Sequence, residues 1–148
     1  MITGWNMFGP RRGPWQDEFW QGWWGDNPPY HHDVFVHTHH LRPAPAMAGS
    51  TTFHCTDEPV ETVLRRASEA ADGKDVRIGG GAAVIQQYLR AQLIDEMHLV
   101  IAPLLIARGE RLLDNLGEGV DGYRVAEMVS SPKVTHVVLV LVLVLVRR

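Results

Sequence analysis

Apolar positions along this chain recur with two periods, and the change of period marks the elements. Val60, Val63, Leu64, Ala67 and Ala71 repeat at helical spacing and define one buried stripe. Asp57 stands where a helix N-cap is wanted, and Pro59 falls in the first turn, where a missing N–H costs little. Gly73 supplies the stop. A second helix is predicted over residues 82–92, with Val84, Ile85, Tyr88 and Leu89 inward. Short apolar runs bounded by turn residues predict strands at 33–38, 51–55, 75–78 and 96–102, the last stopped by Pro103. Two further strands, 123–129 and 134–146, are joined through Ser130-Ser131-Pro132 as a hairpin.

Helices thus alternate with strands first, and paired strands follow. This order predicts an α/β fold: a single domain over residues 1–148 with a mixed, mostly parallel central sheet, flanking helices and a C-terminal antiparallel hairpin. Residues 1–33 are rich in Trp, Gly and Pro and read as a long ordered loop. Its tryptophans fit either a compact aromatic cluster or a wall for a planar ring. Residues 137–148 form an atypical Val/Leu tail. Strict alternation with β-branching at every second position suits a strand. A spanning helix needs about 20 apolar residues, more than this run has. A strand apolar on both faces must be covered, or it becomes an aggregation edge.

Composition narrows the function. Apolar residues make up 45% of the 148 and charged residues 21%, the profile of a soluble globular protein. A net charge of −3 gives no basic surface for nucleic acid, and no membrane-spanning segment is expected. Cys55, the single cysteine, excludes an internal disulfide and fits a reducing, cytoplasmic setting.

The candidate chemistry centres on Gly79-Gly80-Gly81, between the predicted strand at 75–78 and the helix that follows. A helix N-terminus exposes free N–H groups and the positive end of its dipole, so a phosphate is welcome there. Glycine lets it approach and permits positive φ. A tight turn with close helix–strand packing is the plainer alternative. The pattern is neither the Rossmann fingerprint nor a Walker loop.

Several segments in order resemble the dihydrofolate-reductase-like family that includes the C-terminal reductase domain of riboflavin biosynthesis. They are Gly4-Trp5-Asn6-Met7-Phe8-Gly9, Val34-Phe35-Val36-His37-Thr38-His39-His40, Gly79-Gly80-Gly81, residues 93–99 with Ile101-Ala102-Pro103, and residues 108–113. The loop at 22–31 is similar to that of the smaller stand-alone branch. The resemblance implies NADPH (or NADH) laid across the carboxyl edge of a sheet. It assigns Gly4, Asn6, Met7, Thr38, His39, His40, Gly79, Gly80, Gly81, Ala82 and Val84 to the cofactor, and Trp20 and Trp24 to the substrate side. It implies hydride transfer to a C=N or C=O bond of a pteridine-like or pyrimidine-like small molecule, and a homodimer. Where the family carries arginine after the first glycine, this chain has Trp5 and Asn6. The family also has an earlier segment, with a strand and an acidic substrate-side residue, before the point matched by Gly4. The chain is therefore expected to be N-terminally truncated, and no catalytic residue is assigned. The alternative function is a non-catalytic nucleotide-binding or dimeric scaffold remnant.

Other constellations carry less. His31, His32, His37, His39 and His40 are crowded, and His37 and His39 would share a strand face. A zinc site there needs a third ligand, and no metal is assigned. Asp95-Glu96 reads as a solvated turn, Cys55 lacks an identifiable activating base, and Ser50-Thr51-Thr52 shows no triad pattern.

Overall fold

The computed structural model describes residues 1–9, 20–117 and 120–142. Pro10, Pro14 and Trp15 of the loop, and the last six residues of the Val/Leu tail, lie outside them. The chain forms two compact units, Met1–Ile85 and Gln86–Arg148. The fold class is the α/β one expected, but its strands fall into two three-stranded sheets, one parallel and one antiparallel.

The first unit opens with strand β1 (Ile2–Gly4) and a single helical turn, α1 (Trp5–Phe8). Both lie inside the segment read as loop. A strand of three residues is too short for periodicity to reveal, and the surrounding Trp and Pro hide it. Strands β2 (Asp33–His37) and β3 (Thr52–Thr56) follow, then helix α2 (Val60–Ala71). The sheet order is β1-β2-β3, all parallel, with Gly4 beside His37 and Val36 beside Cys55. The strand expected at 75–78 reduces to one bridge. Ile78 pairs with Ile2, held because Ile2 donates its N–H to the Arg77 carbonyl and Gly79 donates to that of Ile2, both at 2.8 Å.

The pleat sorts side chains between two faces. Val34, Val36 and Phe53 point to one face and form the core cluster with Phe8. Trp20 and Tyr30 pack on its margin. The Phe8 and Phe53 rings lie 4.8 Å apart, tilted by 53°. The other face carries Ile2, Phe35 and His54, and helix α2 contributes the buried Val63 and Ala67 of its predicted stripe. Arg66 of α2 lies over the Phe35 ring at 5.2 Å. Pro59, not Asp57, caps α2, with no side-chain bond. Thr56 takes over the local role: its hydroxyl accepts the Glu58 N–H at 3.2 Å. The pre-proline preference keeps Glu58 out of the helix, and Pro59 itself has ψ 149°, so the helix starts only at Val60.

Helix α3 (Ala82–Arg90) carries the chain into the second unit. It ends two residues earlier than expected, in a Schellman-type turn. Gln92 adopts φ 53°, Gln92 donates to Leu89, and Leu93 donates to Tyr88 at 3.0 Å. Strands β4 (Glu96–Ile101), β5 (Tyr123–Ser130) and β6 (Thr135–Leu141) form the antiparallel sheet in the order β4-β6-β5. The valine-rich strand is thus central, and both its edges are paired. A bulge between Val125 and Glu127 shifts the hairpin register. The Tyr123 hydroxyl donates to the Ile94 carbonyl at 2.5 Å.

Candidate nucleotide site at the carboxyl edge of the parallel sheet

Three chain segments converge where β1 and β2 end. Gly4 and His37 are register partners at the last rung, so residues 5–7 and 38–40 leave the sheet side by side. The glycine turn joins them through backbone bonds. Gly4 donates its N–H to the Gly80 carbonyl at 2.6 Å, and the buried Thr3 hydroxyl donates to the same oxygen at 3.2 Å. This carbonyl is therefore turned inward and fixed. The Gly81 carbonyl accepts from Val84 and Ile85 at 3.1 Å and starts α3. Among the described residues, the N–H groups of Gly80, Gly81 and Ala82 have no hydrogen-bond partner. Those of Gly81 and Ala82 are orphan donors of the helix start, left for solvent or an anion, and that of the buried Gly80 stands just before them.

The glycines are required sterically. A Cβ on Gly4 would lie 2.8 Å from Cγ2 of Val84 and 3.3 Å from the Gly81 nitrogen. Gly80 sits at φ 113°, in the left-handed region, with Met7 the nearest side chain. Gly79 has a different role: its N–H donates to the Ile2 carbonyl and closes the Ile2–Ile78 bridge, and a Cβ there would meet only the flexible end of the Met1 side chain.

The remaining expected positions divide. Thr38 is buried, and its hydroxyl accepts the His40 N–H at 3.0 Å, which curls the chain just past β2. Its own N–H donates to Thr56 at 2.9 Å. His39 is exposed beside this turn, as are Asn6 and Met7 beside theirs. Ala82 is half-buried and Val84 buried. Trp20 donates its indole N–H to the Phe8 carbonyl at 2.8 Å, and Arg42 donates to the Trp20 carbonyl at 2.9 Å. Trp24 stacks over Phe53 at 6.5 Å and 12°, and leaves 36% of its surface open. Trp20 and Trp24 therefore sit on the Val34–Phe53 face, anchored by the aromatic core.

Sequence reasoning missed the Thr3 hydroxyl and the Gly4–Gly80 bond, which no local motif announces. It also missed His37 as a perturbed group: burial pushes its imidazole below the usual histidine value. A cavity of about 350 Å³ lies elsewhere, at the amino ends of the strands, lined by Met1, Tyr30, His32, Asp75, Arg77 and Gly79. Burial raises the Tyr30 phenol there, with Arg77 opposing. The free N–H donors and the carboxyl strand ends outweigh cavity size as a guide, because ligands of open parallel sheets bind outside the carboxyl ends. Among the described residues no group of three or more His, Cys, Asp or Glu is placed to hold a metal. No helix among them is long and apolar enough to cross a membrane.

Residues 16–137 match the family model described as the RibD C-terminal domain. No curated protein matches the chain. Among solved structures it is similar to a pyrimidine reductase-like protein from Corynebacterium diphtheriae. The identity is 20%, the TM-score is 0.50, and the match covers 74% of this chain and 50% of that one. The chain thus spans about half the length of that protein, and at this identity the likeness is one of fold.

Proposed function

Given that this chain belongs to the RibD C-terminal domain family, a reductase-type family, we propose that it binds a nicotinamide dinucleotide and serves hydride transfer to a pyrimidine-like or pteridine-like small molecule. The observation that carries this reading is the trio of free N–H groups at Gly80, Gly81 and Ala82, beside the glycine-tight approach at Gly4. They fit a pyrophosphate, which needs donors and bare backbone. In this reading Gly80, Gly81 and Ala82 hold the pyrophosphate, with Asn6 and Met7 alongside. Thr38, His39 and His40 meet the adenosine ribose and any 2′-phosphate. NADPH or NADH would supply the hydride; the chain's part is to bind and orient. Trp24, with its open face, borders the ring to be reduced, and Trp20 fixes that wall through Phe8. Membership of the RibD C-terminal domain family supports the aminouracil type of substrate found in riboflavin biosynthesis.

Tryptophan quenching on titration with NADPH and NADH tests the reading. Saturable quenching that Gly81→Val abolishes is expected. An unquenched protein at millimolar cofactor would refute it. A second reading, nucleotide binding without turnover, is favoured by Trp5 and Asn6 standing where the family's arginine assists the phosphates. Neither supplies a charge-assisted bond. Binding with no NADPH oxidation in the presence of any pterin or pyrimidine would select it.

We further place the protein in the cytoplasm, as a homodimer. The free, half-buried Cys55 fits a reducing compartment. Ile101, Val125 and Met128 share one face of the antiparallel sheet and are 56%, 57% and 66% exposed. An open apolar face of this kind marks an association surface. Sedimentation showing a monomer at all concentrations would contradict it.

A further inference from the structure

His98 and His136 lie far apart in sequence, yet the antiparallel sheet brings them together. His98 of β4 is the register partner of Val138, and His136 of β6 is the partner of Val100. They are diagonal neighbours on one face, at the separation long side chains can bridge. Their rings lean together at 36°, with Nε2 of His98 and Nδ1 of His136 3.0 Å apart. One nitrogen donates and the other accepts, so the accepting nitrogen carries a free lone pair aimed at its partner. Neutral imidazole is also the ligand form for divalent metals.

We propose that His98 and His136 form a bidentate site for a tetragonal divalent cation of the copper(II) or nickel(II) class, unrelated to the nucleotide site. The bite distance makes the choice. With metal–nitrogen bonds of about 2.0–2.1 Å, nitrogens 3.0 Å apart subtend roughly 90–97° at the metal. A tetrahedral zinc angle would need them about 3.3–3.4 Å apart. A right-angled pair of imidazoles suits square-planar or tetragonal coordination, and copper(II) leads the affinity order for such donors. Val100 and Val138 frame the pair on the same face, and the exposed His98 leaves the outer positions to water. The sheet fixes the two backbones, so the nitrogens stay near this separation when the donor ring moves its proton to its other nitrogen and frees a lone pair for the metal.

The test is substoichiometric copper(II) added to the full chain with isotope-labelled histidine, followed by NMR of the imidazoles. The signals of His98 and His136 should broaden first, and together. Electron paramagnetic resonance should show an axial copper(II) signal with two equatorial nitrogens. His98→Gln and His136→Gln should each weaken copper binding tenfold or more, whereas His40→Gln should leave it unchanged. Zinc should bind at least tenfold more weakly than copper. Earlier broadening of another histidine, or zinc binding as tight as copper, overturns the proposal. The NMR result is read on the unaltered chain, so an unfolded variant does not decide it.

Discussion

Replacing Gly4 by alanine probes the join between β1, the glycine turn and α3. Gly4 has φ −95° and ψ 161°, extended values open to any residue, so the backbone offers no objection. The objection is contact. The new methyl would lie 2.8 Å from Cγ2 of Val84, well inside the ordinary carbon–carbon distance of about 3.5–4.0 Å. Val84 is only 7% exposed and β-branched on a helix, where one χ1 rotamer dominates, so it cannot swing aside. The first turn of α3 must move instead, taking Gly81 and its free N–H with it. Overpacking of this sort costs about 1–3 kcal/mol. If the turn holds the ligand, a loss of about 1.4 kcal/mol there is a tenfold weaker affinity. Thermal melting followed by tryptophan fluorescence reads the first effect and cofactor quenching the second. The double variant Gly4→Ala/Val84→Ala makes room for the methyl. It should be more stable than the sum of the singles by about 0.5–3 kcal/mol, the range for residues in contact. An unchanged melting point and affinity in Gly4→Ala, or strict additivity in the double variant, would refute the argument.

Phe8→Ala should cost about 3–5 kcal/mol, because a fully buried ring leaves a cavity against Phe53, Val34 and Val36; denaturant titration measures it. Burial holds the His37 imidazole below its ordinary value, so its contribution to stability is complete above the unfolded histidine pKa and is lost as pH falls below it. His37→Gln should flatten that stretch of the stability–pH curve. The Glu58 carboxyl is held below its ordinary value by the Thr56 hydroxyl and then by Arg66, so it stays ionised to lower pH than a free carboxylate. Carboxyl NMR titration should show the shift, and Thr56→Val should reverse its largest single part. Burial raises the Cys55 thiol, so it should react with iodoacetamide more slowly than a free cysteine at neutral pH until the protein is denatured.

Elements with a local pattern follow from the order of the amino acids alone. The stripe Val63–Ala67 imposes a buried face, the β-branched run in 135–141 favours a strand, and the glycine run imposes a turn, whatever surrounds them. Gly79 to Gly81 announced a backbone-exposing junction because the absence of side chains is legible in one dimension. Which of the three glycines matters for what depends on contacts made across the fold. Gly79 closes the Ile2–Ile78 bridge, Gly80 turns its carbonyl in to Gly4 and Thr3, and the free donors begin at the Gly80 N–H. Only the fold likewise made Ile2–Gly4 a strand. Its three residues gain order from parallel bonds to Phe35, Val36 and His37, which lie some thirty positions away. The meeting of His98 with His136 has the same cause. Register is fixed by the whole ladder of β4 on β6, and a pairing set by many weak contacts at long separation leaves no mark at either residue.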